Sequence, residues 1–234
     1  MKKMYLCHYK KVNMFTFSEE NYLKTIYHLS EHSEKGVSTN AIAKKIETKA
    51  SSVTDMIKKL AEKEVLVYKK YQGVTLTKKG KKTAAMIVRK HRLWEVFLVE
   101  KLNFNWDEVH DVAEQLEHIK SQKLIDEMDA LLGFPTVDPH GDLIPDKEGN
   151  LHPTKNRLLS SLEKNESGIC TGVDDSSSAF LQFLDKQGIA LGKQITVIEK
   201  EPFDDSITIK IDDREMAISK KIATNLYLKT DDHL

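Results

Sequence analysis

Two short helical segments joined by a tight turn place the strongest constraint on how this 234-residue chain can fold. The pattern predicts a first helix over 39–46 and a second over 50–63, in which apolar residues recur every three or four positions on one face. The other face of the second helix carries small polar and basic side chains, as in a helix-turn-helix whose second helix enters the major groove of DNA. The candidate DNA contacts of this motif are Thr39, Lys49, Ser51, Ser52, Thr54, Asp55, Lys58 and Lys59.

A basic hairpin is predicted directly after these helices. Two β-prone segments, 65–68 and 74–77, flank a lysine-rich tip. Such a hairpin is typical of a wing, whose lysines contact phosphates and orient the protein without reading bases. The predicted contacts at the tip are Lys69, Lys70 and Tyr71. In the alternative interpretation the helix spacing is accidental and the lysines form a solvated face.

The formal net charge of zero conceals two halves of opposite charge. Residues 1–82 contain 18 Lys and Arg against 8 Asp and Glu, a balance of +10, and residues 83–234 contain 18 against 28, a balance of −10. A basic N-terminal part joined to an acidic remainder indicates a nucleic-acid-binding module linked to one that handles cations or protein partners.

A row of histidines and glutamates marks a second candidate site. In the helix predicted over 107–119, which contains no Lys or Arg, four such residues fall on one face: His110, Glu114, Glu117 and His118. Clustered carboxylates repel one another unless a cation lies among them. A long helix predicted over 83–102, apolar almost all round its second half, adds the i, i+4 pair His91 and Glu95.

Imidazole and carboxylate groups together form a common ligand set for divalent metals, and an ionised carboxylate in a buried helix needs a partner. A donor set of nitrogen and oxygen without thiolate suits Mn²⁺ or Fe²⁺ better than a structural zinc ion. In the alternative interpretation the row is simply the solvated side of an amphipathic helix.

The remaining segments predict helices before the helix-turn-helix, from Ser18, and over 121–132, then a loop rich in Pro, Gly and Asp up to 153. Beyond it, short strands predict a small β barrel with one helix at 177–186; the strands are 168–173, 194–200, 206–211, 215–218 and 225–228. The chain has no apolar run of about 18 residues, which argues against a membrane span and for a cytoplasmic protein.

Several sequence blocks together resemble the diphtheria-toxin-repressor family, which includes iron-dependent and manganese-dependent repressors. The blocks are YLKTIY at 22–27, RKHRLWE at 89–95, HDVAEQLEH at 110–118 and the LGFP…PHG…IP series at 132–145. The resemblance implies a mainly α protein that forms a homodimer on a pseudo-palindromic double-stranded operator. The domains it implies are an N-terminal extension (1–17), a winged helix (18–84), a helical dimerisation and metal domain (85–153) and a linker with an SH3-like, FeoA-type domain (154–234).

The resemblance also implies two metal sites per chain. The primary site would use Glu114, Glu117, His118, Asn21 and Asp138. The ancillary site would use His91, Glu95 and His110, with a further ligand from the third domain at Asp174 or Asp175.

The identity of one primary ligand points to manganese. Glu114 stands where iron-responsive members carry Cys, which favours Mn²⁺ over Fe²⁺ as the cofactor. The sequence therefore predicts a non-enzymatic, metal-dependent repressor of metal-uptake genes. The alternatives are a metal-dependent hydrolase and a winged-helix regulator that senses an organic ligand.

Overall fold

The computed structural model describes residues 15–31, 36–69, 72–152, 156–175 and 177–230. The chain divides into two compact units, Met1–Ile87 and Val88–Leu234. Among the described residues, no helix combines the length and apolar character needed to cross a lipid bilayer.

The first unit contains the predicted helix-turn-helix and hairpin, which are confirmed. Its elements are α1 (Phe17–Glu31), α2 (Thr39–Lys45), α3 (Ala50–Glu62), β1 (Leu66–Lys69) and β2 (Gly73–Leu76). Its core is made by side chains from the inner faces of these elements, including Leu23, Ile26, Ile42, Val53, Ile57 and Leu60.

Local capping explains where the first helices begin. Thr16 and Glu19 form a reciprocal capping box, since each backbone N–H donates to the other side chain, over 2.8 and 3.3 Å. At α2, the Ser38 hydroxyl accepts the N–H of Ala41. The Glu19 carboxylate also lies 2.8 Å from Lys63 Nζ, which ties α1 to the end of α3.

The hairpin strands pair in antiparallel register from Leu66 opposite Leu76 to Lys69 opposite Gly73. Gly73 has a φ of +87°, and a Cβ there would lie 2.6 Å from the carbonyl oxygen of Val37, so glycine is required. The predicted tip contacts Lys70 and Tyr71 lie outside the described residues.

The helix α4 (Lys78–Leu102) begins five residues before the predicted start at 83. Its first turn is lysine-rich and carries no apolar periodicity, so the sequence pattern missed it. The hydroxyl of Thr77 caps this turn by accepting the N–H of Gly80 over 3.0 Å.

The helical part of the second unit combines the later turns of α4 with α5 (Val109–Leu116) and α6 (Gln122–Leu131) around a core that includes Leu93, Val109 and Ile125. The predicted helix over 107–119 was too long. Residues 106–108 form a turn before α5, and another turn follows it, where the Ile119 N–H donates to the Leu116 carbonyl.

The last part of the chain forms a six-stranded antiparallel sheet in the order β3-β8-β4-β5-β6-β7. Its strands are β3 (Asn156–Leu158), β4 (Ser167–Val173), β5 (Gln194–Lys200), β6 (Ile207–Ile211), β7 (Arg214–Ile218) and β8 (Leu226–Lys229). The helix α7 (Ser178–Gln187) follows β4, and the short α8 (Lys220–Ala223) precedes β8. The five predicted strands and the helix are confirmed, whereas β3, α8 and a 3-10 turn at 159–161 were not predicted.

We expect Gly80→Ala to destabilise the chain, because a Cβ at this position would lie 1.7 Å from the backbone carbonyl oxygen of Val65. Relieving that overlap requires backbone movement and costs about 1–3 kcal/mol, measurable by urea unfolding. Lys82→Ala on the exposed side of α4 is the control, with an expected change within about 0.5 kcal/mol. A Gly80→Ala protein as stable as the wild type would show that this contact relaxes freely.

Candidate metal centre

Four ionisable side chains are buried along α4: Arg89, His91, Arg92 and Glu95. The two arginines are neutralised locally. Arg89 Nη2 lies 2.5 Å from the buried carboxylate of Asp129 on α6, and its Nη1 donates to the Pro145 carbonyl over 2.6 Å.

Arg92 extends this anchoring to the loop after α6. It donates to the carbonyl of Leu143, and its Nε and Nη2 atoms lie 3.5 and 3.2 Å from the carboxylates of Asp138 and Asp142. Together the two arginines fasten α6 and the loop 138–145 to α4, beside the buried His91 and Glu95.

His91 lies between two carboxylates. Its Nδ1 is 2.7 Å from Glu117 Oε2, and its Nε2 is 3.0 Å from Glu95 Oε1. The same Nε2 is 3.2 Å from His110 Nδ1. Because imidazole nitrogens and carboxylate oxygens converge here, these groups can ligate a divalent cation without large movement.

One triad with metal-binding geometry is formed by His91, His110 and Glu114, whose potential ligand atoms all lie within 4.8 Å of one another. His110 Nδ1 is also 3.3 Å from Glu95 Oε1, and its Nε2 is 3.7 Å from Glu114 Oε1. The His110 side chain is 61% exposed, so this group opens to solvent.

A second triad, formed by Glu95, Asp138 and His140, is buried at all three residues. The Asp138 Oδ1 accepts the backbone N–H groups of His140 and Asp142, over 2.8 and 2.9 Å. The His140 Nε2–H donates to the Trp106 carbonyl over 2.7 Å, so that its Nδ1 faces Glu95 Oε2 at 3.7 Å. Because Nε2 is committed to the Trp106 carbonyl, Nδ1 is the ring nitrogen available to a metal.

The electrostatics of this triad are strongly coupled. Burial raises the pKa of Asp138 to about 7, and the charges of Glu95 and Asp142 act in the same direction. Burial alone would lower the pKa of His140, but the hydrogen bond to Glu95 and the nearby carboxylates outweigh it and raise that pKa to about 9. Burial likewise disfavours the ionised Glu95, yet hydrogen bonds from three histidines hold its pKa far below the usual range.

The structure separates residues that the helix pattern placed on one face. Glu117 and His118 lie in the turn after α5 and are buried, whereas His110 on α5 is exposed. Glu117 Oε1 lies 4.0 Å from His118 Nε2. Glu117 thus contributes to the cluster through His91 rather than through a shared solvent-facing row.

The structure gives other partners to three further residues that the resemblance implies as ligands, Asp138, Asp174 and Asp175. Asp138, implied for the primary site, groups instead with Glu95 and His140. Asp174 accepts from Tyr227 over 3.4 Å, and the Asp175 carboxylate accepts the Ser177 N–H.

His140 was not predicted as a ligand, although it stands two residues after Asp138 in the PHG block that supports the family resemblance. The sequence signal for His140 as a ligand was this two-residue spacing, because it lets one short loop direct an imidazole and a carboxylate into the same buried space.

The donor chemistry fits a divalent cation of the manganese or iron type. Both triads offer nitrogen and oxygen donors, and the described thiol, Cys170, is buried in the β domain, where burial raises its pKa to about 11. In the first unit the Oδ1 of Asn21 is buried, with no hydrogen-bond partner among the described residues. A buried carbonyl oxygen in this state is one that a cation can satisfy.

The predicted DNA contacts lie on the outer side of the first unit. Val53, Ile57 and Leu60 of α3 are buried, whereas its opposite side is exposed or half-buried and carries Ser51, Ser52, Thr54, Asp55, Lys58 and Lys59. Thr39 begins α2 and is half-buried; Lys49 and Lys69 are exposed, at the N-cap of α3 and at the end of β1. Lys58 lies 3.3 Å from Asp55, which directs the two side chains together.

Three family models match consecutive parts of the chain. Residues 14–74 match the iron dependent repressor N-terminal DNA binding domain, and residues 77–146 match the iron dependent repressor metal binding and dimerisation domain. Residues 157–230 match the FeoA domain. The C-terminal β-sheet domain is accordingly FeoA-type and SH3-like.

Individual relatives agree with this assignment. The chain is 39% identical over 122 residues to the HTH-type transcriptional regulator MntR of Oceanobacillus iheyensis, covering 52% of this chain and 81% of that protein. It is 31% identical over 134 residues to the iron-dependent repressor IdeR of Mycobacterium leprae, covering 57% of this chain and 58% of that protein.

A solved structure described as a manganese-dependent transcriptional repressor complex with manganese superposes with a TM-score of 0.75 at 35% identity. The match covers 91% of this chain and 100% of that one. Together with the family models, this likeness shows that the chain belongs to the manganese branch of the diphtheria-toxin-repressor family of metal-dependent transcriptional regulators.

Proposed function

We propose that this metal-dependent, DNA-binding repressor of metal homeostasis senses Mn²⁺ and, with the ion bound, represses genes for metal-ion uptake. The observation that carries the proposal is the convergence of three imidazoles on the buried Glu95 carboxylate, in a chain that also holds a helix-turn-helix. The manganese named in the descriptions of its relatives supports the choice of ion. Fe²⁺ is the alternative, because it accepts the same donors.

Two ions per chain are proposed. One would be held by the predicted primary set of Glu114, Glu117 and His118; Asn21 stays a predicted further ligand of that set. The other would lie by Glu95, with Asp138 and His140 as further donors and the predicted ancillary ligands His91 and His110 beside Glu95 Oε1. Asp174 and Asp175 stay predicted ligands.

Metal binding supplies the positive charge that a group of clustered carboxylates lacks. Coupling of this kind between two sites typically changes affinity by about 5- to 150-fold, equivalent to about 1–3 kcal/mol. The repressor would therefore bind its operator tightly with the ion and weakly without it, which makes DNA affinity the direct measure of the switch.

A homodimer is proposed as the DNA-binding form. The family model over 77–146 is described as a dimerisation domain, and in that region Leu124, Leu131 and Phe134 expose apolar side chains on α6 and just after it. We propose that a second copy covers them. Because a two-fold dimer presents two recognition helices, a pseudo-palindromic operator follows from the proposal. We also propose a cytoplasmic location, as the predicted role in binding DNA requires.

The domain limits at 17, 84 and 153 and the closure of the β sheet into a barrel stay predictions. The family assignment removes the support for the hydrolase and organic-ligand alternatives, and the absence of enzymatic activity stays a prediction.

We expect Glu117→Gln to abolish the stimulation of operator binding by Mn²⁺, because the amide removes the negative charge buried beside His91. Fluorescence anisotropy with labelled operator DNA, with Mn²⁺ and then with a chelator, measures the effect. Glu127→Gln, exposed on α6, is the matched control and should respond as the wild type does. Full stimulation in Glu117→Gln would exclude Glu117 as a ligand.

Glu114→Cys should shift the ion preference from Mn²⁺ toward Fe²⁺ or Zn²⁺, because a thiolate is a softer donor than a carboxylate. Operator binding titrated with each ion under anaerobic, reducing conditions gives the order of activation. An unchanged order would show that the side chain at 114 does not select the metal.

Lys59→Ala should weaken binding to all DNA sequences alike, since an exposed lysine on this face contacts phosphates rather than bases. The slope of log affinity against log salt should fall in magnitude by about one. Lys186→Ala, exposed on α7, should leave the slope unchanged. A loss confined to one operator sequence would contradict the assignment of Lys59 to phosphate.

A further inference from the structure

Trp106 belongs by sequence to the helical part of the second unit but by packing to the β domain. It lies in the turn between α4 and α5 and is only 7% exposed. Its side chain joins the buried apolar cluster of the β domain, which includes Leu181 and Leu184 of α7. The largest side chain of the α4–α5 connection therefore inserts into the core of the neighbouring domain.

Two polar contacts fix this insertion. The Trp106 Nε1–H donates to Asp185 Oδ2 over 3.1 Å, and the Gln182 side-chain amide donates to Asp107 Oδ2 over 2.8 Å. Both partners on the β-domain side lie on α7, so one helix is held against the α4–α5 turn by an apolar anchor and two hydrogen bonds.

The same turn holds a metal-facing histidine. The backbone carbonyl of Trp106 accepts the His140 Nε2–H over 2.7 Å, which fixes the ring with its Nδ1 toward Glu95. The backbone carbonyl of His140 in turn accepts the N–H of Val173, at the end of β4, over 2.7 Å. His140 is thus held on one side by the α4–α5 turn and on the other by the β sheet.

The next residue shows how closely the two parts meet. Gly141 has a φ of +89°, and a Cβ on it would lie 2.1 Å from the Cα of Gly172 on β4. Only a pair of glycines permits this approach of the two backbones, so the position of the loop 138–141 depends on where β4 lies.

We propose that Trp106 is a positioning residue for ion binding: by anchoring the β domain on the α4–α5 turn, it holds His140 in place for the Glu95–Asp138–His140 group. Ion affinity at this group then depends on docking of the β domain, and ion binding strengthens the docking by the same factor, because such coupling is reciprocal. This inference rests on the proposed function, since it takes the group to be an ion site.

The test uses the full-length chain with Trp106→Ala, Trp106→Phe and the control Phe183→Ala, which removes a partly exposed aromatic ring from α7. Mn²⁺ binding is followed by calorimetry and electron paramagnetic resonance. Trp106→Ala should weaken one of the two ions about 10- to 100-fold, the range seen when partners of metal ligands are removed, and leave the other unchanged. Trp106→Phe keeps the apolar anchor and should show a smaller loss.

A second readout separates positioning from simple destabilisation. In the wild type, Mn²⁺ should slow amide hydrogen exchange in α7 and β4, and in Trp106→Ala this metal-dependent protection should disappear. Should Trp106→Ala fail to fold, the double variant Gln182→Ala/Asp185→Ala removes both side-chain hydrogen bonds from exposed positions on α7 and should weaken the same ion.

The outcomes are distinct. Wild-type binding of both ions by Trp106→Ala or, where that variant does not fold, by the double variant would overturn the inference. Equal weakening of both ions would overturn it as well, by showing a general loss of structure. A wild-type chain that binds no Mn²⁺ would instead overturn the proposed function, and the inference with it.

Discussion

A single buried carboxylate organises the second unit. Glu95 is almost completely inaccessible, and burying an ionised carboxylate is strongly unfavourable unless positive or donor groups surround it. One of its oxygens lies near His91 and His110, and the other faces His140. These three partners come from α4, α5 and the loop after α6, so satisfying one charge requires three separate segments to meet. The same requirement brings several possible donors for a divalent cation to one place.

The charges beside Glu95 are matched by their surroundings in different ways. The arginines of α4 have fixed carboxylate partners: Arg89 pairs with Asp129, and Arg92 lies between Asp138 and Asp142. Glu95 and Glu117 depend on histidines, whose charge is conditional on protonation. A neutral imidazole presents a lone pair to a metal, which an arginine never does. The arrangement therefore keeps permanent cations for structure and leaves titratable, ligating groups at the centre.

Local signals carried most of what the sequence predicted. The helices of the first unit were predicted from apolar spacing and its wing from two β-prone segments, signals that act within a few residues. The caps at Thr16 and Ser38, which set where α1 and α2 begin, were found only in the structure. The pairs His91–Glu95 and His110–Glu114 were visible because helical spacing places i and i+4 together. His140 was not predicted as a ligand because its partner Glu95 is distant in sequence and its loop has no periodicity. The end of α5 was missed because Glu117 and His118 continue the helical pattern although the backbone turns away.

The loop 138–141 shows why the β domain is more than an appendage. It supplies Asp138 and His140 to the buried group and, one residue later, meets β4 at a glycine pair that tolerates no side chain on either backbone. An ion bound by Asp138 and His140 would also restrict the loop backbone at Gly141, where it meets β4, since only a few peptide units separate the two contacts. Because Trp106 accepts from His140 and packs in the β-domain core, the contact between domains and the contact between ligands belong to one network.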